Sequence, residues 1–261
     1  MTVAAHDWWR DFFQPVVGEA MFSAKAEESR IEVDHILART GLAPPGEVLD
    51  LACGVGRHAL VFATRGFAVT GLDYSAPFLR AARRSARAAG LRIRFVQADM
   101  KEIGARFPAA RFDLVVSLFN SFGYFARRSD DARMLRAVHR VLRPGGALVI
   151  NTLNRAGVAR RLKQPMTYVY EPVPDVQVTD ASRYDPRRRQ TRADWTIVDA
   201  RGRKPRIFRH SVRQNVYSHA DLRRLLLTTG FSVETIWGPW SGDAFDPKTS
   251  WDQTVMARKT S

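Results

Sequence analysis

Between residues 47 and 153 short apolar runs alternate with amphipathic ones. EVLDLAC (47–53) predicts a strand and residues 57–65 a helix; AVTGLDY (68–74) predicts a second strand. Residues 75–89 predict a helix opened by Ser75 ahead of Ala76-Pro77 and closed at Gly90. RIRFVQAD (92–99) and FDLVVSLF (112–119) predict the third and fourth strands. Residues 129–142 predict a helix that Ser129 can cap, with Asp130 and Asp131 at its positive end. A Pro144-Gly145-Gly146 turn then leads into a fifth strand, ALVINTL (147–153). Strands and helices in this alternation imply right-handed βαβ units: an α/β fold with a parallel sheet covered by helices on both faces.

The flanks read differently. Residues 19–40 predict one long helix behind an aromatic segment, Trp8, Trp9, Phe12 and Phe13, and Pro44-Pro45-Gly46 separates it from the first strand. The aromatic segment is expected either to cover an apolar substrate or to dock as a helix face. Residues 155–217 carry Pro165, Pro172, Pro174 and Pro186 and then a hairpin. In it Thr191, Ala193, Trp195 and Ile197 share one face, Asp199-Ala200-Arg201-Gly202 makes the turn, and Phe208, His210, Val212, Gln214 and Val216 line the return. The chain then resumes with a capping box at Ser218–Asp221, a Leu222/Leu225/Leu226 helix face stopped at Gly230, and two strands at 231–237 and 254–258.

The 261 residues, 45% hydrophobic, suit one domain of upper-normal size or one domain carrying an insert, and need no disulfide or structural metal. The single cysteine, Cys53, excludes an intrachain disulfide and a Cys-pair zinc site, and reads as a small buried filler in a reducing, cytoplasmic protein. The N-terminal MTVAAHDWW lacks the character of a secretory signal, and no run approaches the ~18 apolar residues of a membrane span. No membrane partner is expected. The net charge of +15 first suggests nucleic acid. More than half of it falls in residues 183–213, with eleven Lys/Arg against three Asp. That stretch is either a patch for an anionic substrate or RNA, or a solvated hairpin face.

Chemistry concentrates where the first strand ends, in VLDLACGVGRHA (48–59). Gly54-Val55-Gly56-Arg57-His58-Ala59 fits a dinucleotide fingerprint, and Asp73 ends the next strand where it can hold ribose hydroxyls. Both features serve a nicotinamide cofactor as well. Asp50 and Asp99 break the tie. A carboxylate just before the glycines repels a pyrophosphate but pairs with an ammonium, and Asp99, on the third strand tip, can accept from an adenine amino group. Three such acids suit ribose, adenine and a cationic amino-acid tail together, the parts of S-adenosylmethionine.

On these residues, with VTGLDY (69–74), FVQADM (95–100), FDLVVSLF (112–119) and LRPGGALVI (142–150), the sequence resembles the class I S-adenosylmethionine-dependent methyltransferases over about half of its length. Asn120-Ser121-Phe122-Gly123-Tyr124-Phe125, an antiparallel insert after strand five and Val216-Tyr217-Ser218 are similar to the bacterial small-molecule N- and O-methyltransferases, some of them biosynthetic. The resemblance implies a Rossmann-like, seven-stranded, mostly parallel sheet whose last strand is antiparallel. It implies an N-terminal helical lid (1–46), a cofactor-binding core (47–154), an antiparallel β insert covering the substrate (155–217) and a C-terminal return to the core (218–261). It places Asp50, Ala52, Gly54 and Gly56 around the methionine part of the cofactor, Asp73 at the ribose, Tyr74, Asp99 and Met100 at the adenine, and Leu118 beside the cofactor at the fourth strand. Asn120, Tyr124, Trp195 and His210 are the candidates for the substrate pocket; His210 and Tyr124 are the only candidates for catalysis, and no metal is expected. The expected partner is a small-molecule acceptor, anionic if the insert arginines reach it. Two rivals stay open: an RNA methyltransferase using the basic insert, and a NAD-dependent oxidoreductase. The fourth strand runs into Phe119-Asn120-Ser121-Phe122, without the Asp/Asn-Pro-Pro-Phe/Tyr motif of enzymes that methylate base amino groups.

Overall fold

A computed structural model of the chain describes residues 8–22, 26–238 and 244–260. The first seven residues, read above for a targeting signal, lie outside them, as do residues 23–25 of the expected long helix. The described N-terminal helices are α1 (Trp9–Phe12), α2 (Pro15–Phe22) and α3 (Ala26–Thr40). The core follows as β1 (Glu47–Leu51), α4 (Arg57–Thr64), β2 (Ala68–Asp73), α5 (Ala76–Ala88), β3 (Arg94–Gln97), α6 (Ile103–Arg106), β4 (Phe112–Ser117), α7 (Arg128–Val141) and β5 (Leu142–Leu153). After α8 (Arg155–Arg161) come β6 (Met166–Val173), β7 (Val176–Asp185), β8 (Gln190–Asp199) and β9 (Arg206–Asn215). The chain closes with α9 (His219–Leu227), β10 (Phe231–Trp237) and β11 (Asp252–Lys259).

The main sheet runs β10-β11-β5-β4-β1-β2-β3. Its strands are parallel except for β11, which lies antiparallel between β10 and β5. Strand order reverses between β1 and β4, so their carboxyl ends part and leave a crevice. Alternate side chains of β1 enter opposite cores. Leu49 and Leu51 pack with Leu135, Val138, Leu222 and Leu226, whereas Val48 packs with Val33, Ile36 and Phe62. Burial on both faces is what made these strands read as unbroken apolar runs.

The insert forms a separate four-stranded antiparallel sheet, β6-β7-β8-β9, not a lone hairpin. Pro172 and Pro174 hid its first two strands; they are tolerated because β6 is an edge strand and Asp175 turns the chain in a left-handed conformation. The inner face of this sheet, with Val178 and Ile197, packs on Phe12, Val16 and Val17 of α1 and α2. These two short helices are thus held between the insert and the main sheet.

Two smaller expectations change. Ser75 and Ser218 cap their helices as read, accepting from the amides of Phe78 and Asp221. Ser129 does not: α7 begins at Arg128, and its cap residue Arg127 makes no side-chain cap bond. The Pro144-Gly145-Gly146 turn lies inside β5 as a bulge, with the register against β4 shifting between Phe112 and Leu114.

The end of β9 grips the loop after β4. Gln214 Nε2 donates to the carbonyls of Asn120 (2.7 Å) and Phe122 (2.9 Å), the Asn215 amide donates to the Gly123 carbonyl (2.7 Å), and Asn215 Nδ2 donates to that of Phe125 (2.9 Å). Asp131, fully buried, accepts from Asn215 Nδ2 (3.1 Å) and Tyr217 OH (2.5 Å), tying α7 to the same point. Gly123 has φ +100°, and a Cβ there would collide with the Asn215 carbonyl oxygen. Gly123→Ala is therefore expected to cost about 2 kcal/mol or more, read as a fall in Tm of roughly 4 °C or more. An unchanged Tm would mean that the loop and the insert are not coupled this tightly.

Candidate functional site

A cavity with about 850 Å³ of empty space, part of it open to solvent, lies at the carboxyl ends of the parallel strands. Nine of the thirteen site candidates line it: Asp50, Ala52, Gly54, Asp73, Tyr74, Asp99, Met100, Leu118 and Tyr124. Gly56, Asn120, Trp195 and His210 do not. Gly56 serves packing, since a Cβ there would press on Ala82 and Phe95 at 3.0 and 3.3 Å. Trp195 and His210 face each other across β8 and β9 and touch the Phe12 ring at 5.4 and 5.6 Å. Phe12 in turn contacts Phe13, which does line the cavity, so this pair stands one layer out.

The turn after β1 is bound to the tip of β2. The Gly54 amide donates to Asp73 Oδ2 and the Ser75 amide to Asp73 Oδ1, both at 2.7 Å. Gly54 takes φ +56°, as does the neighbouring Ala52 at +59°; Phe119 and Asn120 after β4 also adopt left-handed backbone. Three non-glycine residues in this region at two adjacent strand tips mark backbone held under strain around the crevice. Asp99 accepts from the Lys101 amide (2.9 Å) and pairs with its ammonium (3.4 Å).

Asp50 is 1% exposed, and its Oδ2 is buried without a hydrogen-bond partner. Burial, opposed by nearby Arg57 and reinforced by Asp73, lifts its pKa to about 7. Burial likewise lifts Asp73 to about 6, against the three backbone amides that favour its charged form. Arg57 also lines the cavity. Its Nη1 donates to Ser29 Oγ (2.8 Å) and Glu32 (3.2 Å) on α3, while its Nη2 is buried without a partner. His58 bonds the same Glu32 oxygen through Nε2, and burial lowers its pKa. One cavity thus holds a carboxylate oxygen and a guanidinium nitrogen of opposite charge, each unsatisfied. That donor set fits the ammonium and the carboxylate of a free amino-acid end, as in S-adenosylmethionine.

Aromatic side chains cover the rest. Trp9 packs edge-on against Tyr74 (4.7 Å), Trp8 against Tyr124 (4.9 Å), and Phe22 against Phe78 and Phe119 (5.9 and 5.6 Å). Burial raises the Tyr124 phenol above its ordinary value, so at neutral pH it donates a hydrogen bond and does not act as a base. Cys53 is buried, with its thiol pushed well up by burial, the inert filler expected.

Sequence reasoning did not select Arg57, Glu32 or Phe22, whereas Trp9 and Phe13 of the aromatic segment do line the cavity. Arg57 carried a signal, being the first residue after the glycines; Glu32 and Phe22 become site neighbours only through packing of α2 and α3.

Residues 48–146 match the family model described as "Methyltransferase domain". The chain is 38% identical over 131 residues to a demethylmenaquinone methyltransferase of Thermus thermophilus, covering 49% of this chain and 55% of that one. It is 31% identical over 151 residues to a ubiquinone biosynthesis O-methyltransferase of Pseudomonas aeruginosa, covering 58% and 60%. The match thus spans little more than half the length of these curated relatives. The CcbJ methyltransferase from Streptomyces caelestis shares the fold over nearly the whole chain (TM-score 0.80, 22% identity, 97% and 99% covered).

Asp50, Asp73 and Asp131 (raised to about 7, chiefly by burial) all sit above the ordinary carboxyl range of roughly 4. A raised acid stabilises the fold when protonated, and that contribution is lost as pH climbs through the folded value. The protein without ligand should therefore melt several degrees higher at about pH 5.5 than at about pH 8. Differential scanning calorimetry checks this; a Tm that falls on acidification would contradict the assigned burial.

Proposed function

We propose that this chain, a class I methyltransferase in its domain and its fold, transfers a methyl group from S-adenosylmethionine to a nitrogen or oxygen of a small molecule. The observation that carries the reading is the unsatisfied Asp50 and Arg57 atoms inside a mostly apolar cavity. Asp50 would meet the ammonium and Arg57 the carboxylate of the amino-acid tail. Asp73 would hold the ribose hydroxyls with the lone pairs its backbone donors leave free. Tyr74, Asp99, Met100 and Leu118 would frame the adenine. Residues 47–154 and 218–261 then act as the catalytic core, with 1–46 and 155–217 as its cover.

When bound, the cofactor supplies an already activated methyl. The chain's own part is alignment and exclusion of water. The aromatic cover and the clamped loop 119–125 hold the acceptor in line. Tyr124 orients it by donating a hydrogen bond. An amine acceptor must arrive neutral and a hydroxyl must lose its proton. His58 is occupied by Glu32, and His210 stands behind Phe12. A phenol acidic enough to ionise on its own, or an amine of low basicity, suits a cavity so equipped.

Two observations favour a small acceptor over RNA. No residue of the insert lines the cavity. Five of the eleven cations in residues 183–213, Arg183, Arg188, Arg192, Arg201 and Arg206, already face carboxylates. The nicotinamide alternative would set a pyrophosphate against Asp50.

S-adenosylmethionine should raise the Tm and NAD(H) should not. Asp73→Ala should weaken S-adenosylmethionine binding by about ten- to a hundredfold in calorimetry, the worth of charge-assisted hydrogen bonds. With a tritiated methyl donor, label should enter amines or phenols; label entering RNA alone would overturn the small-molecule assignment.

A further inference from the structure

The main sheet has a second concavity, at the end opposite the candidate site. Strand β2 begins at Ala68, but its pairing with the edge strand β3 starts only at Thr70, opposite Arg94. The first two residues of β2 therefore have no strand neighbour on that side. A groove opens there between the start of β2, the end of α5 and the segment 91–95, with about 1090 Å³ of empty space, part of it open to solvent.

Five arginines converge on this groove, Arg83, Arg87, Arg92, Arg94 and Arg111, against one carboxylate, Glu47. They come from three segments that meet only in the fold: α5, the start of β3 with the residues leading into it, and the residue before β4. Two are held in place. Arg111 pairs with Glu47 at 2.8 Å and lies over the Phe112 ring at 4.9 Å, and Arg83 donates to the Phe95 carbonyl at 3.0 Å. Arg87, Arg92 and Arg94 are exposed and make no ion pair or side-chain hydrogen bond among the described residues. α5 has four arginines and no acid to offset them. Like charges gathered in one concavity raise its positive potential, and a multiply charged anion relieves their repulsion. Guanidinium groups match phosphate oxygens two bonds at a time, and a cluster of them matches several phosphates in series.

We propose that this groove binds a phosphate-rich anion, the polyphosphate of a nucleotide or the phosphodiester backbone of a nucleic acid, at a site separate from the methyl-transfer cavity. The site does not depend on the identity of the methyl donor. It also adds to the question raised by the +15 charge a second basic patch, at the back of the sheet, where three arginines gather in one concavity without an ion pair among the described residues.

The test is binding of the whole chain to inorganic triphosphate, ATP and a short single-stranded RNA at low salt. Wild type is compared with Arg87→Glu/Arg92→Glu/Arg94→Glu and with a charge-matched control in the insert, Arg203→Glu/Lys204→Glu/Arg209→Glu. Unchanged Tm values establish that both variants fold. The groove variant should bind at least about tenfold more weakly, with a shallower salt dependence, because it loses phosphate contacts, and the control should stay within about threefold of wild type. Binding of all three probes assigns the shared phosphate chemistry to the groove, and binding of RNA alone assigns the backbone. An equal loss in the insert control, or no saturable binding of any probe, overturns the proposal.

Discussion

A carboxylate taken out of water without a partner is the constraint on which the rest of this structure depends. Asp50 is there because β1 ends in the crevice where strand order reverses, and it is left only 1% exposed at the base of the cavity. Alone, such a group neutralises itself or waits for a cation. Its neighbours show which. Arg57 is close enough to favour the charged form, yet its Nη1 is committed to Glu32 and Ser29, so it leaves the Asp50 oxygen unsatisfied. The site therefore sets an unpartnered carboxyl oxygen and an unpartnered guanidinium nitrogen in one cavity, the groups that a zwitterionic amino-acid end would satisfy.

The cover follows from the same need for dryness. α1 and α2 bring Trp9, Phe13 and Phe22 over the strand tips and bury their other face against the insert. The insert is anchored in turn through Gln214 and Asn215 to the loop that carries Tyr124, and through Tyr217 to the buried Asp131. Charge at the base of the cavity, aromatic cover and antiparallel sheet form one mechanical chain.

Much of this could be read from residue order. The core strands showed as apolar runs because both of their faces are buried, and the strand-tip acids showed because each ends such a run. Strands β6 and β7 did not show, because an edge strand accepts the prolines that argue against it in the middle of a sheet. Ser129 looked like a cap, but α7 starts one residue earlier and spends Asp131 on an inward hydrogen-bond network. Glu32 and Phe22 were invisible because nothing local to α2 or α3 tells which neighbour they meet. Trp195 and His210 did share an inward face, but that face meets α1 before it meets the cavity.

The most direct test of the account is the proton balance of S-adenosylmethionine binding, measured by titration calorimetry at about pH 6.5 in two buffers of different ionisation enthalpy. Asp50, with its pKa near 7 in the free protein, is then largely protonated. Pairing with an ammonium must ionise it, so binding should release roughly half a proton or more to the buffer. Asp50→Asn should abolish that release and weaken binding. Binding by the wild type with no proton release, or the same release from Asp50→Asn, would contradict the claim that this buried carboxylate is the cofactor's anchor.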